Sequence, residues 1–180
     1  MWRDAPVRVE VLIVGARDAA VYYRRACAPL PRDTHPDAVA ADLAAAPAGS
    51  PVGGARRDGP QPGWAPPALT ILHSTSWRFE AGGVVLTYAA VLDGAPTADF
   101  VPLASRTVIG SGDPAAPSPA AVPVDAVAVH ALRHLAWLRE RDEVAAAALV
   151  SVPALWAALD DFTPAPAGCA PSAAREHFAG

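Results

Sequence analysis

The chain has 180 residues and a formal net charge of −4, enough length for one domain with a substantial core. Its mild negative charge excludes the basic face that a general nucleic-acid binder carries. All fourteen basic residues are arginine, lysine and asparagine are absent, and alanine and proline are abundant; this is the mark of GC-rich coding and carries no phosphate-binding meaning in bulk.

Residues 7–14 (VRVEVLIV) begin by alternating, with Arg8 and Glu10 on one side, and then become wholly apolar. They read as a strand whose first half lies near a sheet margin. Gly15, Ala16, Arg17 and Asp18 read as a turn, and residues 20–25 (AVYYRR) return, giving a first hairpin over 7–25. From 28 to 67 the character changes. Nine prolines fall in forty residues, with Gly53-Gly54 and the run Gly59-Pro60-Gln61-Pro62-Gly63, so this part is expected to be loop, with residues 49–62 disordered. One helical island is predicted over 37–46 (DAVAADLAAA), capped at Thr34 or Asp37.

The clearest strand period lies in residues 68–92, ALTILHSTSWRFEAGGVVLTYAAVL. Read in twos, Leu69, Ile71, His73, Thr75, Trp77 and Phe79 fall on one side, and Thr70, Leu72, Ser74, Ser76, Arg78 and Glu80 on the other. The first set is mostly apolar and the second mostly polar, the pattern of a half-buried strand. Ala81-Gly82-Gly83 supplies a tight turn, and residues 84–92 run back with both faces apolar, as an interior strand does. Residues 100–103 and 106–109 suggest a short further strand, and 111–123 a connector rich in proline and serine.

A long helix is predicted from Val124 or Asp125 to Arg141, with Ala128, Ala131, Leu132, Leu135 and Leu138 as its apolar stripe. Asp142 and Glu143 mark a break or the start of a second helical segment over 143–150. Ser151 is expected to cap a last helix over 152–162, with Pro153 in its first turn and Val152, Leu155, Trp156 and Leu159 buried. The expected fold is α+β or α/β: a mixed β-sheet built from two hairpins, sandwiched by a long central helix and a C-terminal helix. Residues 1–162 form one domain in this reading, with 28–67 as its proline-rich loop, and 163–180 form a tail.

Cys27 and Cys169 stand in no metal-like spacing and read as two free thiols. The opening MWRDAPVRVEV lacks the basic start, long apolar core and cleavage site of a signal peptide, and no run approaches ~18 uncharged apolar residues. A cytoplasmic protein with no membrane and no nucleic-acid partner is expected.

The segment VEVLIVGARDAAVYYRRA resembles the first hairpin of Nudix-fold proteins, and Gly63-Trp64-Ala65-Pro66-Pro67 is similar to their approach to the Nudix box. The later hairpin and the C-terminal helix suit the same fold. The whole chain also resembles small proteins of GC-rich bacteria that carry an HSTSW strand and an HALRHLAWL helix. The defining Nudix motif is missing. That family holds magnesium with several glutamates on a helix after Gly-Gly, whereas here Pro66-Pro67 leads into a strand and the helix at 37–46 has no glutamate. The resemblance therefore implies a Nudix-like fold without pyrophosphohydrolase activity, and no residue inherits a catalytic role.

Two groups of residues could carry chemistry. His130, His134, Trp137 and Arg141 are spaced by four, three and four, so they share a helix face. Ser74, Ser76 and Arg78 offer hydroxyls and a guanidinium to a carboxylate or phosphate. These seven are the candidate ligand-binding residues. They are expected to serve a small anionic, nucleotide-like molecule or a protein partner, without cofactor and without catalysis. His73 is expected on the apolar face of its strand. With His130 and His134 it forms the rival reading, a metal-dependent hydrolase with a three-histidine site; Ala131 stands where a His-Glu-x-x-His protease needs its acid. No serine elbow and no phosphate loop is present.

Overall fold

The computed structural model describes residues 6–47, 68–110 and 121–166. The expected loop at 49–62, most of the connector at 111–123, Cys169 and the tail beyond 166 lie outside them. The described residues form a five-stranded mixed sheet with four α-helices.

Strands β1 (Val7–Arg17) and β2 (Ala20–Pro29) make one antiparallel hairpin, and β3 (Leu69–Glu80) and β4 (Gly83–Leu92) the other. The hairpins are joined by a parallel ladder between β1 and β4, and β5 (Val101–Pro102) adds to β2, so the order across the sheet is β3-β4-β1-β2-β5. β4 is thus interior, as its apolar faces predicted. β1 is interior too. The expectation that its first half lies at a margin fails, because both of its edges are paired from the first residues onward.

Both hairpin turns are two residues long with positive φ at each: Asp18 and Ala19 (52° and 62°), then Ala81 and Gly82 (51° and 81°). This mirror-image turn follows the right-handed twist of the strands. The first turn lies beyond the expected one, and Gly15 and Ala16 continue the strand. Gly83 is required by a close approach, since a Cβ there would overlap the Pro6 carbonyl oxygen.

Helix α1 (Pro36–Ala45) is capped by His35, whose ring accepts from the Asp37 N–H, in place of Thr34 or Asp37. It covers one face of the sheet, burying Val39, Ala40, Leu43 and Ala44 against Val9, Val11, Ile13, Tyr88 and Ala90. Helices α2 (Val124–Arg141), α3 (Glu143–Val150) and α4 (Pro153–Ala158, extended by a 3-10 turn at Leu159–Asp161) share the opposite face. Asp142 ends α2 and caps α3 by accepting from the N–H groups of Val144 and Ala145. Ser151 does not cap α4: its hydroxyl donates to the Ala148 carbonyl and closes α3.

The predicted stripe of α2 is buried throughout, and burial extends beyond it to Val127, Val129, Arg133, His134 and Ala136, because α3, α4 and the segment after α4 pack around the helix. One tyrosine on each face ties a helix start to the sheet. Tyr88 Oη donates to Asp37 Oδ1 and Tyr23 Oη to Asp125 Oδ1, both at 2.6 Å. Burial and these carboxylates push both phenols up to about 12. No single helix among the described residues is long and apolar enough to cross a membrane.

Candidate functional site

The strict alternation expected of β3 is broken twice. Register shifts fall between Leu69 and Ile71 and between Ser74 and Ser76. A residue added at a bulge moves everything after it to the opposite face. Ile71 and His73, opposite Val91 and Ala89, therefore face α2, and Ser74, opposite Tyr88, faces α1. Thr75 is the extra residue; it is buried and donates to the Thr87 carbonyl at 3.2 Å. Beyond it Ser76 and Arg78 join the α2 face, while Trp77 and Phe79 turn to the α1 face and are exposed. The expected grouping of Ser74 with Ser76 and Arg78, and of His73 with Trp77 and Phe79, is thus corrected by one bulge.

On the α2 face three rows run across β3, β4, β1 and β2: His73, Ala89, Leu12, Arg25; then Ser76, Thr87, Glu10, Cys27; then Arg78, Val85, Arg8, Pro29. The apolar layer under the helices reaches the first row through Leu12 and Ala89. The next two rows carry most of the charge. At their centre Glu10 is 1% exposed. Arg78 meets it as a fork, Nη1 to Oε2 at 2.6 Å and Nη2 to Oε1 at 3.1 Å. Arg25 Nε donates to Oε1 at 2.5 Å, and Thr87 Oγ1 donates to Oε2 at 3.1 Å. Burial pushes the Glu10 carboxyl up, but the hydrogen bonds and charge of Arg78, followed by those of Arg25, outweigh it and hold the carboxyl below its ordinary value.

All three nitrogens of Arg78 are engaged, since Nε donates to Glu80 and Nη1 also to Thr87 Oγ1. Arg25 commits only Nε among the described residues, and Arg8 places Nη2 3.2 Å from Cys27 Sγ. Arg8, Arg25 and Arg78 stand against Glu10 and Glu80, an excess of one positive charge on this part of the face.

At the β3 side of the first row, His134 Nε2 lies 3.1 Å from His73 Nδ1, and Nδ1 also lies 2.9 Å from the Ser74 carbonyl. A carbonyl only accepts, so Nδ1 of His73 carries the hydrogen, and His134 receives its share of it through Nε2. Neutral His134 then carries its own hydrogen on Nδ1, which is buried with no hydrogen bond of good geometry among the described residues. Trp137 stacks on the same ring, with centroids 5.8 Å apart. Burial, then the neighbouring His73 and His130, push His134 down to about 4, against a smaller opposite effect of the Ala165 backbone. His130, half-buried one turn earlier, is also pushed down, by burial and then by Arg133.

The seven predicted residues therefore divide. Ser76 and Arg78 belong to the polar rows, and beside them His134 meets His73 while Trp137 stacks on His134. Ser74 faces the other side of the sheet, His130 sits one turn back, and Arg141 is exposed at the end of α2. His73 is exposed and not a core residue. Among the described residues no three His, Cys, Asp or Glu side chains are placed to hold one metal ion.

Glu10, Arg25, Arg8 and Thr87 were not singled out from sequence. The usable signal was a lone acid inside VRVEVLIV, which needs a cation once its strand is interior.

No protein-family model, curated protein or solved structure matches the chain.

Proposed function

We propose that this is a non-catalytic, Nudix-like binding protein that takes a small anionic ligand on the polar half of its α2 face. The observation that carries the reading is the pair of guanidiniums on one buried carboxylate. Glu10 holds Arg78 by two nitrogens and Arg25 by one, so Arg25 is oriented while its terminal nitrogens remain for an outside acceptor. Arg8 lies two positions from Glu10 on the same strand face. Prepositioned guanidinium groups suit planar or tetrahedral oxyanions such as carboxylate and phosphate, because less side-chain freedom is lost on binding. His73 and Ser76 border the same face with further polar groups.

The non-hydrolytic half of the reading rests on α1, whose only acids are Asp37 and Asp42; Asp37 accepts from Tyr88, and no row of glutamates is available to hold magnesium. The rival metal-dependent hydrolase has less support, because His73 and His134 meet without a third ligand among the described residues.

The test is calorimetric titration with inorganic phosphate and with a nucleoside diphosphate, with and without magnesium. Saturable binding without release of phosphate is expected. Arg25→Ala should weaken it by about tenfold or more, as loss of a charged hydrogen bond does. Equal binding by the native protein and an Arg8→Ala, Arg25→Ala double variant would sink the proposal.

A further inference from the structure

Strand β3 ends the sheet. Among the described residues its only ladder is with β4, so the backbone groups on its outer side are a template for another strand. The bulges that displace Thr70 and Thr75 interrupt the first part of this edge, which is one way proteins blunt such templates. Ser76, Trp77, Arg78, Phe79 and Glu80 remain as a regular stretch without proline or lysine. Trp77 is 70% exposed and Phe79 57%, side by side on the α1 face. Adjacent exposed aromatics on an open edge are what a protein interface uses.

We propose that a second copy of this chain pairs with this stretch, antiparallel, about a twofold axis through Arg78. Five residues pair with themselves along their full length in only one antiparallel register. It sets Ser76 opposite the partner's Glu80, Trp77 opposite the partner's Phe79, and Arg78 opposite its own copy. On one face two Trp–Phe cross-strand pairs form, a favourable combination. On the other, Glu80 lies diagonal to the partner's Arg78, so charges alternate across the seam. The two arginines on the axis do not meet as bare cations, because each is already held by Glu10 and Glu80 of its own chain. The axis stands normal to the sheet, so the two sheets become one of ten strands with both polar faces on the same side. The pairing is independent of the ligand reading, since Trp77 and Phe79 point away from the arginines.

Sedimentation velocity of the full chain at about 100 µM, a concentration that saturates a micromolar dimer, tests the pairing. A dimer is expected. Trp77→Lys and Phe79→Lys should each give a monomer with unchanged far-UV circular dichroism, since neither side chain belongs to the core. Val144→Lys, at an equally exposed apolar position on α3 (81% exposed), should leave the dimer intact. A monomeric native chain, a dimer that survives both edge substitutions, or one lost with Val144→Lys would overturn the proposal.

Discussion

Arg78 and Glu10 stand 68 positions apart in the chain and share a two-pronged ion pair within the sheet. The pair spans from β3 across β4 to β1, so it fastens the second hairpin to the first at the point where the parallel ladder joins them. Removing Arg78 leaves the buried Glu10 carboxylate with Arg25 and Thr87 alone. Arg78→Ala is therefore expected to cost about 1.5–3 kcal/mol, the loss of charged hydrogen bonds to a group that keeps a second cation, measured by urea unfolding at neutral pH. Glu10→Leu with Arg78→Met should recover much of that loss, because two apolar side chains leave neither charge unpaired. The same pair sets an acid limit. Glu10 titrates lower folded than unfolded, so its stabilisation is complete above the ordinary value of 4.5 and is lost as pH falls through the folded value. Native protein should lose stability in that window, and the double variant should not show this component.

Ala19 has a φ of 62°, a left-handed conformation that a side chain disfavours. It is exposed at the tip of the first hairpin, where no packing compensates. Ala19→Gly should raise stability by about 1 kcal/mol, read as a higher melting temperature without change in the spectrum. A lower melting temperature would show that the turn tolerates alanine by some contact outside the hairpin.

The hairpins and helix α2 were legible because their signals are local: period-two apolar runs closed by small turn residues, and a stripe at helical spacing. What the sequence hid was non-local or depended on one inserted residue. Nothing in Ser74-Thr75-Ser76 announces a bulge, yet it sends Arg78 to Glu10 and Trp77 to solvent. Likewise, the burial of His134, 3% exposed, follows from the residues that pack around α2 after α4, which no periodicity within the helix encodes. Glu10 was visible as an oddity in its strand, but its partners come from three other strands, and pairing across a sheet has no signature in sequence order.

Leu135 is fully buried in the apolar layer where α2 lies on the sheet. Leu135→Ala removes three heavy atoms from a layer that cannot collapse, since strands lie beneath it and helices beside it. A loss of about 2–5 kcal/mol is expected, checked by chemical denaturation with the slope against denaturant unchanged. A loss below about 1 kcal/mol would mean that this layer is looser than the burial implies.

The meeting of His73 and His134 makes a second, separate pH dependence. His134 is pushed down from 6.5 to about 4 in the folded chain. The unfolded chain therefore binds more protons between those values, and stability falls as pH is lowered through that window, by on the order of 3 kcal/mol in total. The geometry supplies the reason. A proton added at Nε2 of His134 would face the hydrogen that Nδ1 of His73 directs toward Ser74, and His130 adds a like charge when it titrates. His134→Leu should flatten most of the loss between pH 6.5 and 4 while leaving the fall at lower pH that belongs to Glu10. The same arrangement bears on metal. The Nδ1 atom that faces His134 is engaged with the Ser74 carbonyl, so the two rings do not converge on one ion with free lone pairs. Adding zinc to the native protein should leave its melting temperature unchanged. A zinc-dependent rise, reversed by a chelator and absent in His134→Leu, would show that the rings reorient to share an ion, and the metal-dependent reading would then lead.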